Sequence, residues 1–557
     1  MKKFIVLMGC TVVALSFLSA CNSVGEKESN SNKSKNIGKL ASKQEATINV
    51  TQELNSIDPA NTVDANSNIA LNNIYEGLYR LDKYNQPIPA GADALPEISS
   101  DGLSYTIKLR KEAKWSNGEP VIATDYVYAW KRAIGAKNAA ENSYLYTSIL
   151  NADEILSGKI SANELGVSAL DDETLVIQLN KPTPYFTSML AIPAFFPLKE
   201  SFVMKAGDSF ASDSEQAIYN GPFVMTGFKG PGIGSNWTYK KNREYWDQKA
   251  VKIETLNVEV VKETATNVNL FENGETDEIS ITGEYAKNKL ADPAFVAEKP
   301  AQTIFLGYNQ TKKLYQNKKI RQAISLLVDR EIIAEQVLGN GIKPATGLIF
   351  NGLYTNPETN EDFTKASGNH LKTDVDKAKK LWLEGKKEVG LAEEAEVPIQ
   401  LITFENEDMR KVSEYLQGLL ADNLKGAKLT PSVYPVSVFM KNASNQEFDL
   451  YLVSWGADYP DPSSLLQLFR SDVAYNWGKY QSETYDNILK QADTTDVLNT
   501  EKRWEDLLQA EKTIMDDQGI TPIYFSAPTY LRNPKLKEVI FHSVGPRFEY
   551  KYMYLEE

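Results

Sequence analysis

Residues 448–466 read FDLYLVSWGADYPDPSSLL. The stretch begins as a strand. Phe448, Leu450, Leu452 and Ser454 alternate with Asp449, Tyr451, Val453 and Trp455, and most members of both sets are apolar. Such a strand is covered on both faces. Trp455, Gly456, Ala457 and Asp458 then break the run, and Pro460 and Pro462 stop it. A carboxylate directly after a buried strand has two readings. It is a turn-forming Asp or a helix N-cap ahead of residues 463–469, or it is a charge presented to a cationic ligand.

The surrounding chain mixes the two kinds of periodicity. Residues 46–52 (ATINVTQ), 105–110 (YTIKLR) and 174–180 (TLVIQLN) read as strands. Helical spacing places Ile69, Ile74 and Leu78 on one face, and Val127, Trp130 and Ile134 on another behind a Thr124 cap. Residues 320–338 read as one amphipathic helix or two, with Ile320, Ile324, Leu327 and Val328 inside. A helix over 412–426 precedes a strand over 428–436. This alternation predicts α/β lobes, and 557 residues are enough for several.

The N-terminus carries a different message. Lys2 and Lys3 precede an apolar run over residues 4–17, shorter than the roughly 20 residues that span a bilayer. It has the pattern of a secretory signal. Its ending, Leu18-Ser19-Ala20-Cys21, resembles the lipobox of bacterial lipoproteins, which implies cleavage before Cys21 and a diacylglycerol on its sulfur. The other cysteine, Cys10, lies in the segment expected to be removed, so the mature chain has no internal disulfide. Residues 21–43 read as a lipidated cysteine and a flexible Ser/Asn/Lys tether. The expected location is the extracellular face of the cell membrane.

Net charge is −14, which does not suggest nucleic-acid binding. Only His370 and His542 are present, far apart, which disfavours a His-based triad or a multi-His metal site. HExxH, CxxC, GxSxG and Walker A patterns are absent. The glycines at 227–234 fit a long hairpin turn better than a phosphate loop. Asp171-Asp172 and Asp516-Asp517 read as solvated turn residues. No cofactor, metal or catalytic role is expected.

Three longer segments carry a family resemblance: residues 109–133 (LRKEAKWSNGEPVIATDYVYAWKRA), 220–228 with 242–247 (NGPFVMTGF, NREYWD), and 305–313 with 317–331. Together with WGADYPDP they resemble the oligopeptide-binding receptors of ABC importers, collinearly from about Ala46 to the C-terminus. The resemblance implies a two-lobed periplasmic-binding-protein type II α/β fold with an extra third domain and a ligand cleft between the lobes. The first lobe is expected at 44–66, 191–301 and 521–557, the extra domain at 67–190, and the second lobe at 302–520. An extended oligopeptide would be held by backbone pairing and passed to ABC permease and ATPase subunits by a monomeric receptor.

By motif position, the resemblance makes Asp458 the partner of the peptide α-ammonium. Leu452, Trp455, Gly456 and Ala457 on one side, and Glu53, Leu54 and Asn55 on the other, are the expected backbone partners. Two arginine positions that hold the peptide carboxylate in relatives fall on Ala443 and Leu452. Lys312 and Arg410 lie near other basic positions and are the candidate substitutes. A pheromone-binding lipoprotein of the same fold is the alternative; a surface hydrolase and a haem or nickel receptor are further competitors.

Overall fold

The computed structural model describes residues 39–61, 64–135 and 142–557. The alternating stretch forms a strand at Leu450–Trp455, inside a six-stranded sheet. It runs antiparallel to Gln302–Tyr308 on one side and parallel to Val397–Phe404 on the other. Both of its faces are buried. Leu450 and Leu452 enter a core with Ile320, Ile324, Trp382 and Leu416. Tyr451 and Val453 enter the opposite core. Each such leucine contributes about 1.5–3 kcal/mol by leaving water.

The helices over this sheet start where side chains accept their first free N–H groups. Asn317 caps Lys318–Leu327, Asp374 caps Val375–Glu388, and Asn406 caps Glu407–Asn423. The apolar pattern at 320–338 is divided. After Leu327 the chain turns, Asp329 caps a second helix at Arg330–Ile332, and this widens into π geometry over Ile333–Leu338. The helix predicted from Ile69 and Ile74 covers Ala65–Ile74, and the chain becomes a strand at Tyr79–Leu81 before Leu78 can join it.

A seven-stranded sheet is assembled from distant segments. Its order is Phe295–Ala297, Thr529–Arg532, Glu278–Ile281, Glu45–Val50, Thr255–Val260, Asn236–Lys241 and Phe223–Thr226. The last two are antiparallel neighbours, so residues 227–235 form the hairpin turn expected there. A four-stranded sheet over residues 97–178 makes a third layer, with Asp171 Oδ1 accepting the Glu173 N–H in a turn.

Two segments lie elsewhere than the expected boundaries. Strand Ile520–Ser526 pairs with Gln302–Tyr308, so the second lobe continues past 520 and the chain returns to the first sheet at Thr529–Arg532. Helix Ala65–Ile74 is tied to the C-terminal segment, since Asn72 and Asn73 both donate to the Phe548 carbonyl. It therefore stays with the first lobe beyond residue 67. The two chain crossings lie side by side: the Ala301 N–H donates to the Ser526 carbonyl at 3.0 Å and the Glu298 N–H to the Pro528 carbonyl at 3.1 Å. Cys21, the signal segment and residues 22–38 lie outside the described residues.

Candidate functional site

Past Trp455 the chain leaves the sheet within three residues. Gly456 passes so close to the neighbouring strand that a Cβ would sit 3.1 Å from the Ala301 carbonyl oxygen. The turn after it is built on Asp461. One of its oxygens accepts the Ser463 N–H at 2.9 Å, and both meet Arg503, at 2.7 and 2.8 Å, in an almost fully buried bidentate pair. The backbone N–H of Asp458 donates to Ser464 Oγ at 2.8 Å. Asp461 thus performs the turn role that the sequence offered to Asp458. Among the described residues, the Asp458 carboxylate has no hydrogen bond and no ion pair.

That carboxylate faces two adjoining cavities. One, of about 430 Å³, is bounded by Asn68 and Ile192 of the first lobe, Tyr144 of the extra domain, residues 454–458, and Arg547. The other, of about 560 Å³, is bounded by Tyr144, Lys181, Tyr185, Asp458 and Tyr459. Water reaches Asp458 through these openings, yet protein surrounds it on most sides. Burial accordingly raises its pKa above the ordinary carboxylate range. Partial loss of water around the hydroxyl, with the Asp458 charge as a second cause, pushes the Tyr144 hydroxyl up to about 12. Tyr459 stacks on Tyr185 with ring centroids 4.0 Å apart and planes 5° from parallel, which joins the second lobe to the extra domain beside the carboxylate.

Trp455, Gly456, Ala457 and Asp458 therefore come together at one opening. Trp455 is held edge-on to Tyr475 and Trp477, at 5.1 and 5.8 Å. The other expected residues lie elsewhere. Leu452 is fully buried, pairs with Leu306, and its carbonyl accepts from Thr403 Oγ1 at 3.0 Å. Glu53 pairs with Lys262 at 2.9 Å, Leu54 is buried in the core, and the Asn55 N–H is taken by Ser67 Oγ at 3.2 Å. None of these lines either cavity beside Asp458. Lys312 holds Asp449 at 2.8 Å, at the opposite end of the strand from Asp458. Arg410 pairs with Glu414 at 3.0 Å one turn along an exposed helix face. Ala443 is buried in its helix.

Arg547 and Tyr144 are the site residues that sequence reasoning missed. Arg547 follows a Gly545-Pro546 turn, with Gly545 at φ +63°, and only that turn is visible locally. Ser367, His370 and Glu511 also cluster, with Ser367 Oγ 2.7 Å from His370 Nε2 and in contact with Glu511. Glu511 accepts the Leu348 and Ile349 N–H groups at 2.8 Å each and meets His370 through the same nitrogen as the serine does. That is a clamp on a loop rather than a relay in which the acid orients the far side of the ring. No cluster of three or more metal-ligating side chains occurs among the described residues.

Residues 86–477 match the family model of bacterial extracellular solute-binding proteins, family 5 Middle. The chain is 33% identical to the dipeptide-binding protein of Lactococcus lactis over the full length of both. It is 38% identical to Listeria monocytogenes OppA bound to peptide, with a TM-score of 0.73 over 93% of this chain and all of that one. The pheromone receptor PrgZ, also 38% identical, superposes with a TM-score of 0.75 over 92% of this chain and all of its own. The architecture is thus the two-lobed type II α/β fold with an extra domain, and the chain belongs to the family 5 bacterial extracellular solute-binding proteins.

Proposed function

We propose that this protein is an extracytoplasmic receptor that binds extended oligopeptides and delivers them to an ABC permease. It acts by binding and release, without chemistry on the ligand. The observation that carries the reading is the Asp458 carboxylate, unpartnered among the described residues and lining a cavity where lobes and extra domain meet. That carboxylate is open to the cavity with no competing partner among the described residues, and a peptide α-ammonium supplies three donors to it. Backbone pairing along the rest of the ligand gives affinity without reading side chains. The relatives titled as dipeptide-binding and as bound to peptide support the same ligand class. The lipobox supports anchoring through an acylated Cys21 at the outer face of the membrane.

The likeness to the pheromone receptor PrgZ favours a second reading, in which the ligand is one apolar signalling peptide. Native mass spectrometry of protein purified from its membrane without denaturation separates the two. A ladder of mixed peptides on a chain beginning at an acylated Cys21 is the expected result; one dominant apolar peptide would select the signalling role. Asp458→Ala should empty the cleft, weakening peptide binding by about 2–5 kcal/mol. A wild-type protein that carries no peptide and takes none from an added library would sink the reading.

A further inference from the structure

We propose that Arg547 is a second charged subsite of the Asp458 cavity and holds a carboxylate of the ligand. The inference rests on the peptide reading above and narrows it to ligands with an ammonium and a carboxylate a short span apart.

The backbone of Arg547 is firmly placed. Its carbonyl accepts the His542 N–H at 2.8 Å, and the next residues, Phe548–Glu549, pair with Ile540–Phe541. Asn73 then accepts the Tyr550 N–H at 2.9 Å and fixes the hairpin to the first lobe. The side chain is another matter. Among the described residues the guanidinium has no ion pair and no hydrogen bond, although burial already depresses its pKa. Other enclosed arginines are answered: Arg80, Arg503 and Arg532 by carboxylates, and Arg321 and Arg330 by backbone carbonyls. A guanidinium taken from water without an anion is unfavourable, and its planar fork matches a carboxylate in two parallel bonds. Lys181, at the neighbouring cavity, is exposed and stays hydrated without a ligand.

Asp458 and Arg547 line the same cavity of about 430 Å³ and make no ion pair with each other. Each charge is therefore left for the ligand. A sphere of that size is about 9 Å across, the reach of two or three extended residues at about 3.5 Å each. The carboxylate can come from two places: the C-terminus of a di- or tripeptide, or an acidic side chain near the N-terminus of a longer one.

Calorimetry on the whole protein, emptied of ligand, tests this with two pairs of probes. Ala-Ala is compared with its C-terminal amide, and Ala-Glu-Ala-Ala amide with Ala-Gln-Ala-Ala amide. Wild-type protein should prefer the charged member of at least one pair by roughly ten- to a hundredfold. The first pair responding identifies the terminal carboxylate, the second the side chain. Arg547→Met should abolish the preference, and Arg547→Lys should keep part of it. Equal binding of both members of both pairs by wild-type protein would overturn the inference while leaving peptide binding intact, and so would a preference that survives Arg547→Met. Failure of wild-type protein to bind any of the four, or any library peptide, would instead remove the peptide reading itself. If Arg547→Met folds poorly, equal binding of both pairs by wild-type protein still overturns the inference, and the partial preference expected of Arg547→Lys tests the assignment.

Discussion

Two aspartates three residues apart divide the work at the end of one strand. Asp461 spends both oxygens on Arg503 and the Ser463 N–H, while Asp458 keeps its carboxylate for what enters the cleft. The raised pKa of Asp458 has a readable sign. An ammonium binds the carboxylate and not the acid, so affinity is full above the raised pKa and declines as pH falls through it. Peptide dissociation constants followed from neutral to acidic pH should rise earlier than an ordinary aspartate would dictate. Asp458→Asn should bind weakly at every pH with that slope gone; an unchanged slope would show that another group titrates. Asp458 was legible because a Gly-Ala step and two prolines set it apart from the strand. Arg547 was not, because lacking a counter-ion is a tertiary property: Arg503 looks no different along the chain and is paired with Asp461.

At the scale of elements, the strand Leu450–Trp455 was legible from its two apolar faces, and the hairpin at 227–235 from its glycines. The backbone role expected of Leu452 was not, because its strand neighbours and the Thr403 hydroxyl that take up its backbone are set by tertiary pairing. Pairing with Leu306 turns its side chain into the core shared with Ile320 and Leu416, away from the opening that Trp455 and Asp458 reach. Leu452→Ala should therefore cost about 2–5 kcal/mol of stability by leaving a cavity, measured by urea unfolding. Peptide affinity of the folded fraction should stay close to wild type; a selective loss of affinity would return Leu452 to the ligand. The π geometry at Ile333–Leu338 had no readable signal either, since a one-residue widening leaves the apolar spacing almost unchanged.

At the scale of the molecule, buried charges tie the start of the chain to its end. Arg80 meets Glu76 at 2.8 Å and Glu549 at 3.3 Å. Burial alone would raise the Glu549 carboxyl, but Arg80 and His542 outweigh it and hold the carboxyl below the usual range. A depressed carboxyl contributes stability above its unfolded pKa and loses it as pH falls through the folded value. Arg80→Met removes the arginine that both buried acids share and should cost about 3–5 kcal/mol at neutral pH. The loss should shrink on acidification, as Glu549 takes up a proton; a loss independent of pH would assign the effect to packing. The boundary expected at 520 was misplaced for a related reason: Ile520–Ser526 is apolar on both faces, and only its partners assign it to a sheet.

The seven-stranded sheet also sets an order of events during synthesis. The six-stranded sheet needs nothing beyond Ser526. The larger one holds a slot between Phe295–Ala297 and Glu278–Ile281 that Thr529–Arg532 fills, pairing with both. A nascent chain can thus finish its second lobe while the first still shows unpaired backbone on two strands. A strand made near the end of synthesis is the one that completes the sheet begun at Glu45.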